Sequence, residues 1–186
     1  MRIWPVVACI TALGAGVALA QHGDKGRHHQ PYAGQQSRSV ASLSAEDVQA
    51  FLDGRGMGLA KSAEINGYPG PMHVLELADE LKLTGEQRRA VTQAFERMKA
   101  KATDLGARYI AAEKAVDDAF KSGNADAAVV AARVAEANRL LGEVRLSHLV
   151  AHVEITPLLS PEQRARYAEL RGYGGGAAPM HGSHKH

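Results

Sequence analysis

From Val91 onward, apolar or small residues recur at Phe95, Met98, Ala102, Leu105, Tyr109, Ala112, Val116 and Ala119, in alternating steps of four and three. This is a heptad seam, the spacing that keeps one stripe of a long helix against a partner helix. After Ser122-Gly123-Asn124 the same alternation resumes through Val130, Val134, Ala137, Leu141, Val144, His148, Ala151, Ile155 and Leu158. Two seams of equal length joined by three turn residues predict an antiparallel helical hairpin, each arm about 50 Å long at about 1.5 Å per residue. No segment alternates in the manner of a strand, so the expected class is all-α: a long antiparallel helical hairpin with flanking shorter helices.

The flanks carry strong punctuation. Ser44 precedes Glu46 and Asp47 and should cap a short helix running to about Leu52, which Asp53-Gly54-Arg55-Gly56 breaks. Gly67-Tyr68-Pro69-Gly70-Pro71 is a second break, and Pro71 suits the first turn of a helix that should reach about Lys82. Its apolar side would be Val74, Leu77, Ala78 and Leu81. The hairpin itself is bracketed by two similar helix starts, Leu83-Thr84-Gly85-Glu86-Gln87 and Leu159-Ser160-Pro161-Glu162-Gln163. In each, a hydroxyl can accept from the backbone N–H three residues on, while the glutamine reaches back to the N–H of the hydroxyl residue, which is a capping box. Pro157 should disturb the end of the second arm, and Gly172 should end a last helix carrying Tyr167 and Leu170.

The ends of the chain read differently. One basic residue, Arg2, precedes an apolar run from Ile3 to Leu19 that finishes in Ala18-Leu19-Ala20, the pattern of an export signal cleaved after Ala20. A lipoprotein box at Val6-Val7-Ala8-Cys9 is the rival, with only eight residues ahead of its cysteine. The expected organisation is a signal peptide over 1–20, a disordered segment over 21–42, a helical domain over 43–173 and a disordered His-rich tail over 174–186. Cleavage would remove Cys9, the sole cysteine, and with it any disulfide, thiol nucleophile or thiolate metal site. Losing Arg2 leaves 21 basic against 20 acidic residues, without the basic excess of a nucleic-acid binder. After cleavage no membrane insertion is expected. The mature chain also lacks G-x-S-x-G, a phosphate loop and Cys-x-x-Cys-His, so the expectation is a protein that is not an enzyme.

Two such helix starts around a cysteine-free hairpin behind an export signal resemble the LTxxQ repeats of the Spy/CpxP family, which includes heavy-metal sensor and zinc-resistance relatives. The resemblance covers roughly Pro71 to Tyr173, with Leu83, Thr84 and Gln87 in the first motif and Leu159, Ser160 and Gln163 in the second. Gly85 stands where proline is common, and Ser160 where threonine is. The resemblance implies a cradle-like antiparallel homodimer in the periplasm. It implies an ATP-independent chaperone or a modulator of envelope-stress signalling, with unfolded periplasmic proteins or a membrane sensor protein as partners. The alternative it implies is binding or sensing of heavy metals.

Candidate residues follow from chemistry. His148 and His152, one helical turn apart, present both imidazoles on one face and suit a divalent ion, with His73 as a possible third ligand. No cofactor is required; the candidate ions are Zn, Cu or Ni. The competing reading makes His148 a hydrogen-bonded interface histidine and His152 a solvated one. His22, His28, His29, His181, His184 and His186 lie in Gly-rich segments suited at most to loose metal binding. For client binding the candidates are Arg88, Arg89, Arg97, Lys101, Arg108 and Ile110, with Phe120, Val129, Leu140 and Leu149 as further apolar residues off the seam. The competing reading makes the basic run a solvated face and buries the apolar set.

Overall fold

Ser44, Thr84, Asp126 and Ser160 each start a helix by accepting a hydrogen bond from a backbone N–H three residues on, and these four caps set the frame of the molecule. A computed structural model describes residues 31–173. The signal peptide, the His-rich tail and the six terminal histidines expected from the sequence lie outside the described residues. Six α-helices follow one another: α1 Ala45–Leu52, α2 Lys61–Glu64, α3 Pro71–Glu76, α4 Gly85–Lys121, α5 Ala127–Ile155 and α6 Pro161–Leu170, with a 3-10 turn Thr156–Leu158 before α6. There is no strand among the described residues, and the fold is all-α as the periodicity predicts. Among the described residues no helix is long and apolar enough to cross a membrane.

The long hairpin is α4 against α5, but its arms are unequal, 37 and 29 residues. Five residues, Ser122 to Asp126, separate them rather than three, because Asp126 caps α5 by accepting from the Val129 N–H at 2.8 Å. The seam is buried only where other helices lie across it. Val91, Ala102, Leu105, Tyr109, Ala137, Val144, Ala151 and Ile155 are all buried, whereas Val134 is 40 % exposed and Leu158 37 %. Leu140, expected off the seam, is buried at 2 % exposure. The distal tip has no flanking helix to cover it, and Phe120 there is 60 % exposed.

Two apolar clusters form along the proximal part. One joins Val40, Leu43 and Phe51 to Leu105, Tyr109, Leu140 and Val144, with the Phe51 and Tyr109 rings edge to face at 4.8 Å. Val40 is 2 % exposed, so the disorder expected over 21–42 does not reach it. Ala41 N–H donates to Asp117 Oδ2 at 3.1 Å and Ser42 Oγ to Glu113 Oε2 at 2.6 Å, tying this segment along α4. Burial, with the Glu113 carboxylate beside it, pushes the Tyr109 phenol up to about 12. Gly106 is what allows α1 to come so near, because a Cβ there would sit well inside contact distance of the Phe51 carbonyl.

The second cluster joins Val74 and Leu81 to Val91, Ala94, Ile155, Leu159 and Tyr167. The helix expected to reach Lys82 stops at Glu76, and a succession of turns carries the chain to Lys82, whose φ of 51° is left-handed. The expected face is still used, since Val74, Ala78 and Leu81 are buried. Helical periodicity survives in the turns because Leu81 N–H still donates to the Leu77 carbonyl at 2.9 Å.

Both capping boxes close as predicted, and they do more than start helices. Gln87 Oε1 accepts from Thr84 N–H at 3.0 Å, and Gln163 Oε1 accepts from Ser160 N–H at 2.8 Å. The two side-chain amides then pair with each other. Gln87 Nε2 donates to Gln163 Oε1 at 2.9 Å, and Gln163 Nε2 donates to Gln87 Oε1 at 3.0 Å. The remaining hydrogens go to backbone carbonyls, Gln87 to Leu158 at 2.8 Å and Gln163 to Leu81 at 3.2 Å. Each glutamine thus uses both lone pairs of its oxygen and both hydrogens of its nitrogen, which fixes the starts of α4 and α6 to each other.

Candidate functional site

Between the two apolar clusters lies an open cleft of about 800 Å³, walled by α1, α3, α4, α5 and the loops around α2. His148 and His152 reach it from consecutive turns of α5 and are 4 % and 8 % exposed. Both histidines expected from the sequence therefore line one cleft, and the solvated position that the competing reading gives His152 is not found. His152 is buried rather than solvated. His148 Nε2 has no hydrogen-bond partner at all.

His152 Nδ1 lies 2.7 Å from the Tyr68 carbonyl oxygen. A carbonyl only accepts, so Nδ1 must carry the hydrogen, and in the neutral ring the Nε2 lone pair is left available. Burial, and then the neighbouring His152, holds His148 below the ordinary imidazole value. At neutral pH it is therefore uncharged and able to donate a lone pair.

The third participant is Glu64, the last residue of the four-residue α2. Its two oxygens live in different surroundings. Oε1 accepts from Tyr167 Oη at 2.5 Å, Arg171 Nε at 3.3 Å and Tyr173 Oη at 3.4 Å. Oε2 is buried, accepts no hydrogen bond and lies 3.8 Å from His152 Nδ1. Burial and the bond to Glu64 push the Tyr167 phenol up, so that group stays a donor, and it accepts in turn from Gly70 N–H at 3.3 Å. Gly70 leaves a small space that a side chain would fill. A Cβ at Gly70 would be 3.2 Å from both His152 Nε2 and Glu64 Oε2, so both atoms border the same gap.

His73, expected as a third ligand, is turned to its own helix. Its Nδ1 pairs with Glu76 Oε2 at 2.8 Å, and it lines the cleft without joining the other two. Among the described residues no three His, Cys, Asp or Glu side chains stand arranged to hold a metal ion. His148, His152 and Glu64 supply nitrogen and carboxylate donors suited to a transition metal, so the donor set fits while its spacing is still open. Sequence spacing could not have pointed to Glu64, because it is 84 residues from His148 and no motif marks it.

The basic and apolar candidates for client binding scatter. Arg88 pairs with Asp79 at 2.7 Å, Arg97 with Glu154 at 3.5 Å and Arg108 with Asp104 at 3.6 Å, while Arg89 and Lys101 are exposed. Ile110 is not a free apolar surface, for it packs against the first core cluster. Three exposed apolar residues instead form a stripe on α5, Leu146, Val150 and Val153, at helical spacings of four and three.

A family model described as heavy-metal resistance matches residues 62–166, a span that takes in Glu64, both helix starts and both arms of the hairpin. No curated protein and no solved structure matches the chain.

Proposed function

The chain belongs to the heavy-metal resistance family, and from that premise we propose that it is an exported, non-enzymatic protein that binds a transition-metal ion in the cell envelope. The observation that carries this reading is the pair of buried polar atoms, His148 Nε2 and Glu64 Oε2, which have no hydrogen-bond partner among the described residues and belong to side chains lining the same cleft as His152. An unsatisfied buried polar atom costs about 1–3 kcal/mol. Two of them facing one cleft are readily explained by a ligand that satisfies both, and a zinc, copper or nickel ion does so. His148, His152 and Glu64 would hold it, with the Tyr68 carbonyl fixing the His152 tautomer from behind. Because the three are not preassembled, binding must draw them together, which suits a sensor better than a rigid store.

The test uses the full chain with His22, His28, His29, His181, His184 and His186 changed to glutamine, so that only the cleft is read. His148→Ala/His152→Ala in that background should lower zinc affinity at least tenfold by calorimetric titration, with Glu64→Gln lowering it by less. Unchanged affinity in the double variant would sink the metal reading.

The stripe of Leu146, Val150 and Val153 supports a second reading, in which the protein is a homodimer that captures unfolded clients or a sensor partner. On that reading, near-equimolar protein suppresses aggregation of a chemically denatured client, and Leu146→Asn/Val150→Asn/Val153→Asn abolishes the effect. A wild-type protein that leaves aggregation untouched has no such role.

A further inference from the structure

The described residues contain three methionines, Met57, Met72 and Met98, and all three line the cleft that holds His148 and His152. They arrive from three separate parts of the chain. Met57 follows Gly56, whose Cβ position would lie 3.6 Å from His148 Nδ1. Met72 sits two residues beyond Gly70, the glycine against His152 and Glu64. Met98 comes from the α4 wall, half-buried. A core would bury such side chains, yet Met57 is 42 % exposed and Met72 45 %. Met57 also holds a left-handed backbone, φ 46°, a conformation that costs a non-glycine residue roughly 1 kcal/mol or more and persists only when its surroundings impose it.

We propose that this cleft is selective for a soft monovalent cation, Cu(I) or its analogue Ag(I), bound by methionine thioethers together with a histidine imidazole. The inference rests on the metal-binding reading above and names the class of ion. Thioether sulfur is an uncharged, polarisable donor that suits Cu(I) and contributes little to a harder divalent ion. His148 supplies the second kind of donor, a 4 % exposed imidazole that lines the cleft and whose Nε2 has no partner among the described residues. Three thioethers and a neutral imidazole add no charge, so a monovalent ion leaves the cleft with a single positive charge, which the Glu64 carboxylate offsets.

The experiment uses the full chain carrying the six terminal His→Gln changes, with Cu(I) titrated anaerobically against a chromogenic chelator and zinc titrated separately. Met57→Leu/Met72→Leu/Met98→Leu conserves volume and apolarity. It should lower Cu(I) affinity at least tenfold and leave zinc affinity unchanged, and copper-edge X-ray absorption should show sulfur neighbours that the variant loses. Met57→Leu alone, which keeps an apolar side chain of similar volume, should weaken Cu(I) binding severalfold. Undiminished Cu(I) affinity in the triple variant, or a wild-type copper spectrum without sulfur, would overturn the proposal and leave the methionines as apolar lining. Failure of the metal-binding reading is separately visible as unchanged affinity for both zinc and Cu(I) in His148→Ala/His152→Ala.

Discussion

Gly106→Ala should destabilise the protein by about 2 kcal/mol, while the same change at Gly142 should stabilise it by up to about 1 kcal/mol. Both glycines are inside long helices, where alanine is intrinsically better by about 1 kcal/mol. Packing decides the sign. At Gly142 a Cβ meets nothing within 4 Å. At Gly106 it would press on the Phe51 carbonyl, 2.9 Å from the carbonyl carbon and 3.1 Å from Phe51 Cβ. Backbone cannot rotate aside as a long side chain can, so α1 must retreat, at a cost of about 3 kcal/mol that outweighs the propensity gain. With about 2–4 °C per kcal/mol for a chain of this size, thermal unfolding should fall by roughly 4–8 °C for Gly106→Ala and rise by a few degrees for Gly142→Ala. Equal shifts of the same sign would show that α1 does not pack on α4 as described.

The second large effect is expected at the paired glutamines. A capping box accepts glutamate as readily as glutamine in that position. Here only glutamine serves, because Gln87 Nε2 donates to both Leu158 O and Gln163 Oε1. Gln87→Glu keeps the cap and the shape but sets a carboxylate oxygen against two acceptors. Losing two donors, and leaving the Leu158 carbonyl without its Gln87 bond and Gln163 Oε1 with Ser160 N–H alone, should cost about 3 kcal/mol in chemical denaturation. The deficit relative to wild type should narrow as pH falls through the carboxylic range, because the protonated acid regains one donor. A loss below about 0.5 kcal/mol would mean that the cross-pair contributes nothing. Gln87→Ala and Gln163→Ala, combined, should be non-additive, as expected of residues in one network.

These two sites also mark how far the sequence could be read. The hairpin was legible because Val91 to Ala119 and Ala137 to Ile155 repeat with a fixed period, and a period is a local property. The capping boxes were legible for the same reason, since each spans four residues. That Gln87 meets Gln163, 76 residues away, depends on how α6 folds back, and no local spacing encodes it. Gly106 carries no distinguishing signal in the local pattern, yet it is the contact point for α1. At the cleft, the i, i+4 spacing of His148 and His152 was legible, and their shared site follows from it. His73 was a plausible companion on composition, but Glu76 lies closer along its own helix and takes its Nδ1. Glu64 belongs to a four-residue helix without a cap hydrogen bond from its N-terminal side chain, so nothing local distinguishes it from a surface acid.

The divided carboxylate of Glu64 has a consequence for the far end of the chain. Its Oε1 is the shared acceptor for Tyr167, Arg171 and Tyr173, which are the end of α6 and the residues just past it. Its Oε2 opens toward His152. One delocalised charge therefore serves two clients, and positive charge drawn to Oε2 leaves less of it for Oε1. A cation bound at Oε2 would thereby loosen the anchorage of α6, and a partner gripping α6 would then alter cation affinity by the same factor, because coupling between two sites is reciprocal.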